Sequence, residues 1–332
     1  MKRGRDILVW LACLGLLMGF VGGPLTAEAA KIIRLGHGQP PGSAIDNFAH
    51  RLADVVNERS KGDMVVQIFP SSQLGKELDR MQLLQLGGEE LDVTGDMSMS
   101  TVCPEWGQVL TTPFVVRSKE HFRKIVDGPA MKPVYDCLQQ RKGLHHLGWV
   151  DRGPRYLTAN RPIRDPGEVK GLRLRVPDGV EAYVVAWRML GATVVSMDIS
   201  ELFLGLRQGT IEAQENPLEM VSVHSLFEVQ KYVNLTGHMF TGYEIFGSEK
   251  WFKSLTPEQQ KIINDAAAEA VAFGNKEQAA DETRFETQLK EKGMTFIAVD
   301  RPKFEAALKE LPKQPFAARW APGFYEAVKA VQ

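Results

Sequence analysis

Two arginines occupy strand-like segments twenty residues apart, and together they could bind a carboxylate. Arg155 precedes a Tyr-Leu-Thr run, and Arg175 lies between Leu174 and Val176. A guanidinium whose strand end points into a cleft can hold a carboxylate through two parallel hydrogen bonds, although a charge in a strand more often faces water. Asn216 ends another short strand-like segment, and its amide can donate and accept hydrogen bonds at once. These residue types are compatible with a binding site for a carboxylate, and the rest of the sequence has to decide between that site and solvent-exposed charges.

The motifs of common enzymes are missing from the sequence. It contains no G-x-S-x-G nucleophile motif and no phosphate-binding loop. His145 and His146 have no further histidine, cysteine or carboxylate at a metal-binding spacing. We therefore expect a protein that is not an enzyme and that uses no metal and no cofactor. An exported enzyme of unknown type is the alternative, and it would have to turn over whatever it binds.

The N-terminus has the features of a secretory signal peptide over residues 1–29. Basic residues precede a mostly apolar run from Ile7 to Val21, and the small-x-small pattern of Ala27 to Ala29 follows. The alternative, a membrane anchor, would need about 20 apolar residues, and the run is shorter. We expect a periplasmic protein. Its formal net charge of −1 argues against a nucleic-acid-binding surface, which requires a basic excess.

Two cysteines remain beyond the predicted signal peptide, Cys103 and Cys137. In an exported chain they could form a disulfide, and two buried free thiols are an equally good interpretation because sequence does not give the distance between their Cα atoms.

Strand-like segments alternate with helical segments along most of the chain, which indicates βαβ units and mostly parallel sheets. About 300 residues of this pattern predict two α/β lobes. One helix is unusually long. It begins at Pro257 after the capping box of Thr256 and Gln259 and continues to about Lys292. Such a helix exceeds one lobe, and its small apolar residues favour a strut shared by both lobes over a coiled-coil arm.

Several motifs, in order along the chain, make the sequence resemble the DctP-type solute-binding proteins of TRAP (tripartite ATP-independent periplasmic) transporters. The motifs are Phe69 to Gly75, Leu91 to Thr94, Thr112 to Phe114, Gly153 to Arg155, Lys170 to Pro177, Gln214 to Pro217 and Phe227 to Tyr232. The resemblance covers about residues 31–330.

This resemblance implies an α/β periplasmic binding protein fold of two lobes, with a ligand cleft between them, hinge strands and a long spanning helix. It predicts that lobe I comprises residues 31–152 and 241–280. Lobe II would then comprise residues 153–240 and 281–332.

The resemblance also implies a set of ligand-binding residues. Arg175 would be the principal carboxylate-binding arginine, Arg155 the second contact and Asn216 the orienting amide. Four more positions would line the cleft, namely Glu77, Asp96, Met97 and Ile199. Ile199 matches a wall position at which the family often has an aromatic residue. We also expect Glu77, Asp96 or His37 to meet the far end of the ligand.

The predicted function is capture of an organic acid and its delivery to the membrane subunits of a TRAP transporter. Acidic residues in lobe I suit hydroxyls better than a second carboxylate, so a sugar acid, either a uronate or an aldonate, is preferred. A C4-dicarboxylate or a 2-oxo acid is the alternative, and a dicarboxylate would need extra positive charge from Arg152 or His37. A ligand sensor that docks on a receptor is a further alternative. We expect a monomer.

Overall fold

The computed structural model describes residues 30–95 and 97–332, apart from the side chains of residues 279–281. The predicted signal peptide, residues 1–29, and the predicted site residue Asp96 lie outside the described residues. Within the described ranges, each helix is too short or too polar to cross a lipid bilayer.

One twisted mixed sheet runs through the molecule in the order β2-β1-β3-β8-β4-β7-β5-β6, and β9 pairs with β8. The strands are β1 (Lys31–His37), β2 (Met64–Phe69), β3 (Leu91–Gly95), β4 (Leu144–Ala159), β5 (Arg173–Val176), β6 (Thr193–Ser196), β7 (Ala213–Asn216), β8 (Tyr232–Ser248) and β9 (Thr295–Ile297).

Helices cover this sheet and fill the connections between strands. They are α1 (Ala44–Arg59), α2 (Glu77–Leu86), α3 (Met97–Val102), α4 (Pro104–Leu110), α5 (Lys119–Val126), α6 (Lys132–Asp136), α7 (Glu181–Met189), α8 (Ile199–Arg207), α9 (Leu218–Val223), α10 (Glu249–Ser254), α11 (Pro257–Glu291), α12 (Arg301–Ala307) and α13 (Phe324–Ala330). A π-helical turn, Cys137–Arg141, continues α6.

Two long strands cross between the lobes. β4 and β8 contain 16 and 17 residues and pair antiparallel from Leu144 with Ser248 to Ala159 with Tyr232. β3 pairs with one end of β8, and β7 pairs with the far end of β4, so each long strand belongs to both halves of the sheet. Three register shifts interrupt the pairing. Such bulges bend and twist strands, so they allow both to act as hinge strands.

The long helix α11 contacts the cores of both lobes. Its first half buries Ile263 and Ala266 in one cluster with Phe48 of α1. Its second half buries Phe285 and Leu289 in another cluster, which contains residues of α8 and β8. Thr256 caps the helix, its side chain accepting a hydrogen bond from the backbone N–H of Gln259. The 35-residue helix is therefore the predicted spanning strut, and the expected two-lobed α/β fold is confirmed.

The end of the chain packs differently from the predicted lobe division. Residues 281–332 were assigned to lobe II, but Phe324 and Val328 of α13 lie in one core cluster with Phe122 and Ile125 of α5. We therefore propose a division in which the last helix returns to lobe I and the remaining boundaries stay as predicted.

Cys103 and Cys137 form a disulfide, with their Cα atoms 6.6 Å apart. Both cysteines are buried in the core cluster around α4 and α6. Of the two alternatives that the sequence left open, the structure therefore has the bridge.

Candidate ligand-binding cleft

A cavity opens between residues of the two lobes. Six predicted site residues line it, namely Glu77, Met97, Arg155, Arg175, Ile199 and Asn216. Glu77 and Met97 are the first residues of α2 and α3, and Ile199 is the first residue of α8. Each of these three therefore projects from a helix N-terminus that follows a strand of the sheet.

Arg175 lies in the middle of β5, between β6 and β7, and is only 2% exposed. Its Nε donates a hydrogen bond to the backbone oxygen of Met197 at 2.8 Å, which orients the guanidinium. It forms no ion pair with any carboxylate that the structure describes. Burial lowers the pKa of Arg175 to about 10, so the side chain is still charged at neutral pH. A buried cation of this kind can bind an anionic ligand.

Arg155 has a different environment, because its guanidinium is paired with Glu215. Its Nε lies 2.5 Å from Glu215 Oε2, and its Nη2 donates to Oε1 at 2.8 Å and to the backbone oxygen of Glu215 at 2.6 Å. His238 Nε2 lies 3.0 Å from the same carboxylate. Burial alone would raise the pKa of Glu215, but Arg155 and the hydrogen bonds hold it at about 2. The charge of Arg155 therefore has a counterion within the protein.

Asn216 ends β7 and pairs in register with Tyr156 of β4. Its Nδ2 donates a hydrogen bond to Gln214 Oε1 at 2.5 Å. Gln214 in turn donates to the hydroxyl of Thr158 at 2.8 Å. This buried chain of side-chain hydrogen bonds fixes the orientation of the Asn216 amide at the wall of the cleft.

On the lobe I side, Glu77 is half-buried. Burial raises the pKa of its carboxyl, and the guanidinium of Arg80 partly opposes that effect. Arg80 itself is paired with Asp92, with its Nε 2.6 Å from Oδ2. Glu77 therefore presents to the cleft a carboxyl whose oxygens can accept hydrogen bonds from ligand hydroxyls.

His37 does not line the cavity, which corrects the sequence-based expectation. It is fully buried, with Nε2 3.3 Å from Asp46 Oδ1, and burial lowers its pKa to about 4. The physical reason is that Asp46, in the first turn of α1, packs against the end of β1. Gln39, two residues further along, lines the cavity instead, and its backbone N–H donates to His37 Nδ1.

The cavity is also lined by residues outside the sequence-based set, namely Gln39, Asp178, Asp198, Met220 and Tyr243. Arg152, which the sequence suggested only as a source of charge for a dicarboxylate, lines it as well. Arg152 is the most informative of them, since its guanidinium lies 4.5 Å from the ring centroid of Tyr243. It precedes Arg155 by three residues, and a register shift between Asp151 and Gly153 separates the two. Alternation along a strand therefore does not predict that both arginines reach the same cleft.

The family model of the DctP proteins, described as bacterial extracellular solute-binding protein, family 7, matches residues 35–319. The chain belongs to this family. The resemblance that the sequence motifs indicated is therefore confirmed, and the family consists of binding proteins for small ligands that work with TRAP transporter membrane subunits.

Relatives and solved structures of high similarity are known. A solute-binding protein of Roseobacter denitrificans is 31% identical over 281 residues, which are 84% of this chain and 85% of the relative. A TRAP periplasmic solute-binding protein from Roseobacter denitrificans with bound L-galactonate superposes with a TM-score of 0.85 at 28% identity, covering 92% of this chain and 99% of the other.

A second solved structure, from Xanthobacter autotrophicus, contains bound β-D-galacturonate. It gives a TM-score of 0.84 at 28% identity and covers 90% of this chain and 100% of the other. Both similar proteins therefore bind a six-carbon sugar acid with one carboxylate.

Proposed function

We propose that this DctP-family protein captures a sugar acid, either a uronate or an aldonate, in the periplasm and delivers it to the membrane subunits of a TRAP transporter. The observation that carries the proposal is Arg175, a buried and charged guanidinium in the cleft without an ion-pair partner among the described residues. The ligand carboxylate would be its counterion. The similar structures with bound galactonate and galacturonate support this ligand class.

Binding would leave the ligand chemically unchanged. The carboxylate pairs with Arg175, and Asn216 orients it. Hydroxyl groups at the other end meet Gln39 and Glu77 of lobe I, so that the ligand bridges both lobes and shifts the hinge equilibrium toward the closed form. Closure excludes water and thereby strengthens the charged pair. We propose a monomer that releases its ligand unchanged, and recovery of intact ligand after long incubation checks the absence of turnover.

The test compares Arg175→Gln with Arg173→Gln by calorimetry, using L-galactonate, galacturonate, succinate and pyruvate with the chain lacking residues 1–29. Arg173 lies on the same strand but is exposed and pairs with Glu212, so it is a matched control. We expect a sugar acid to bind the parent and the control. Arg175→Gln should weaken binding by about 100-fold or more, because it removes one partner of a buried charged pair.

Equal affinities of Arg175→Gln and the parent would contradict the role of Arg175. Binding of succinate or pyruvate in preference to both sugar acids would replace the proposed ligand class by its alternative. Thermal unfolding of both variants without ligand controls for loss of the fold.

A further inference from the structure

The buried hydrogen-bond chain that begins at Asn216 extends through lobe II to Gln230. Asn216 Nδ2 donates to Gln214 Oε1 at 2.5 Å, and Gln214 Nε2 donates to the Thr158 hydroxyl at 2.8 Å. The Thr158 hydroxyl donates in turn to Gln230 Oε1 at 3.0 Å. All four side chains are buried, and of the four only Asn216 lines the cavity. Gln230 belongs to the sequence motif from Phe227 to Tyr232, for which the cleft gave no role.

The far end of this chain sets the direction of every hydrogen bond in it. Gln230 Nε2 donates to the backbone oxygens of Glu212 and Val229, both at 3.2 Å. A backbone oxygen can only accept, so Gln230 turns its nitrogen to these two atoms and its oxygen to Thr158. The single hydroxyl proton of Thr158 is used in that bond, so Thr158 accepts from the Gln214 nitrogen. The oxygen of Gln214 is then left for the cleft end of the chain.

The Asn216 amide consequently has one favourable orientation, with its nitrogen toward Gln214. A reversed amide would bring two oxygens together in a buried site, which costs the free energy of an unmade hydrogen bond. In the part of the chain that the structure describes, no group donates a hydrogen bond to Asn216 Oδ1, so this oxygen is available to a ligand. Gln214 pairs in register with Arg175, and Asn216 follows it by two residues on the same face of the sheet.

We propose, resting on the proposed function, that Gln230, Thr158 and Gln214 are positioning residues for ligand selectivity. They hold the Asn216 amide so that Oδ1 accepts a hydrogen bond from the hydroxyl next to the ligand carboxylate, which is bound by Arg175. The second N–H of Asn216 stays available to that carboxylate. The selectivity of the cleft is thus set in part by two backbone oxygens that lie at the other end of the chain of side chains.

The test compares L-galactonate with 2-deoxy-L-galactonate, which lacks only the hydroxyl next to the carboxylate. Calorimetry measures the ratio of the two affinities in the parent, in Thr158→Val, in Thr158→Ser and in Gln230→Met. We expect the parent to prefer L-galactonate by about 3- to 10-fold, the effect of one hydrogen bond between neutral groups. Thr158→Val and Gln230→Met should bring the ratio toward one, because each interrupts the chain. Thr158→Ser keeps the hydroxyl and should keep the ratio.

Thr112→Val is the matched control. It also removes a buried threonine hydroxyl, which donates to the backbone oxygen of Gln108 at 2.6 Å, outside this chain. The control should keep the ratio of the parent even if it lowers stability. Thermal unfolding of each variant without ligand measures that loss separately.

Equal affinities of the parent for the two acids would overturn the inference while the proposed function stands. A ratio in Thr158→Val and Gln230→Met equal to that of the parent would also overturn it, because the chain would then serve only the stability of lobe II. If neither L-galactonate nor galacturonate binds the parent, the proposed function fails and this inference fails with it. Retention of the ratio in Thr158→Ser guards against a variant that merely misfolds.

Discussion

At the scale of single residues, Glu215 determines what Arg155 can do. Its carboxylate accepts hydrogen bonds from two nitrogens of the Arg155 guanidinium, and His238 is buried beside this pair. Glu215 lies in the sequence motif Gln214 to Pro217 but not in the sequence-based set of ligand-binding residues. Arg155 lines the cavity, and its charge is balanced within lobe II by Glu215, so its role as the second ligand contact stays a prediction.

Replacing Glu215 by Gln should therefore destabilise the fold. The change leaves the buried Arg155 without its counterion, and breaking a buried pair in this way costs about 3–5 kcal/mol. Urea unfolding at neutral pH measures the free energy of unfolding. Glu212→Gln is the matched control, because Glu212 precedes the same strand but pairs with Arg173 at the surface, where such a pair contributes about 0–1 kcal/mol. Equal losses in both variants would contradict the prediction.

A second buried carboxyl, Glu89, makes stability depend on pH. Burial and the neighbouring Asp92 raise the pKa of Glu89 from 4.5 to about 9. The folded protein thus binds a proton more tightly than the unfolded chain does. The contribution of this proton to stability is complete below about pH 4.5 and is lost as pH rises toward 9, by up to about 1.4 kcal/mol per pH unit.

Glu89→Gln should flatten this dependence, because a neutral amide replaces the protonated acid. Urea unfolding between pH 5 and 8 measures the slope in the parent and in the variant. Glu90→Gln should lose the ion pair with Arg34 but keep the slope of the parent. Parallel profiles of Glu89→Gln and the parent would show that Glu89 does not take up this proton.

At the scale of elements, the disulfide ties the start of α4 to the π-helical turn after α6. Cys103 and Cys137 are 34 residues apart in sequence, and a loop of that size corresponds to a stabilisation of about 3–4 kcal/mol. The double variant Cys103→Ala, Cys137→Ala should lose about this much in urea unfolding. Its ligand affinity should be unchanged, because neither cysteine lines the cleft. An unchanged urea midpoint of the double variant would contradict this prediction.

At the scale of the whole molecule, side-chain contacts join the two lobes beside the cleft, and two of them involve the residues around the cavity mouth. His224 Nε2 lies 2.9 Å from Gln39 Oε1, and Lys76 Nζ lies 3.1 Å from Glu201 Oε1. The first pair is largely buried and the second is exposed, so the first should contribute more to holding the lobes together. Contacts of this kind favour a closed arrangement of the lobes over an open one.

His224→Ala should shift the ligand-free protein toward an open form. Ligand affinity should fall by about 3- to 10-fold, because binding must then also drive closure. Small-angle X-ray scattering without ligand should show a larger radius of gyration, and calorimetry measures the affinity. Lys76→Ala, which removes the exposed contact, should change both quantities less. An unchanged radius and affinity in His224→Ala would mean that this contact does not hold the cleft closed.

Much of this protein is determined by interactions between chain neighbours, and the sequence shows that part directly. The capping box at Thr256, the alternation of strands and helices and the residue types Arg175 and Asn216 all follow from local patterns. What only the tertiary structure decided is which partner each polar side chain meets. Glu215 lies beside Arg155 because β7 pairs with β4. His37 contacts Asp46 and does not line the cleft. Arg152 lies at a register shift of β4 and lines the cleft. These outcomes depend on strand register and on packing between distant segments, and a one-residue shift in register reverses the face to which a side chain points.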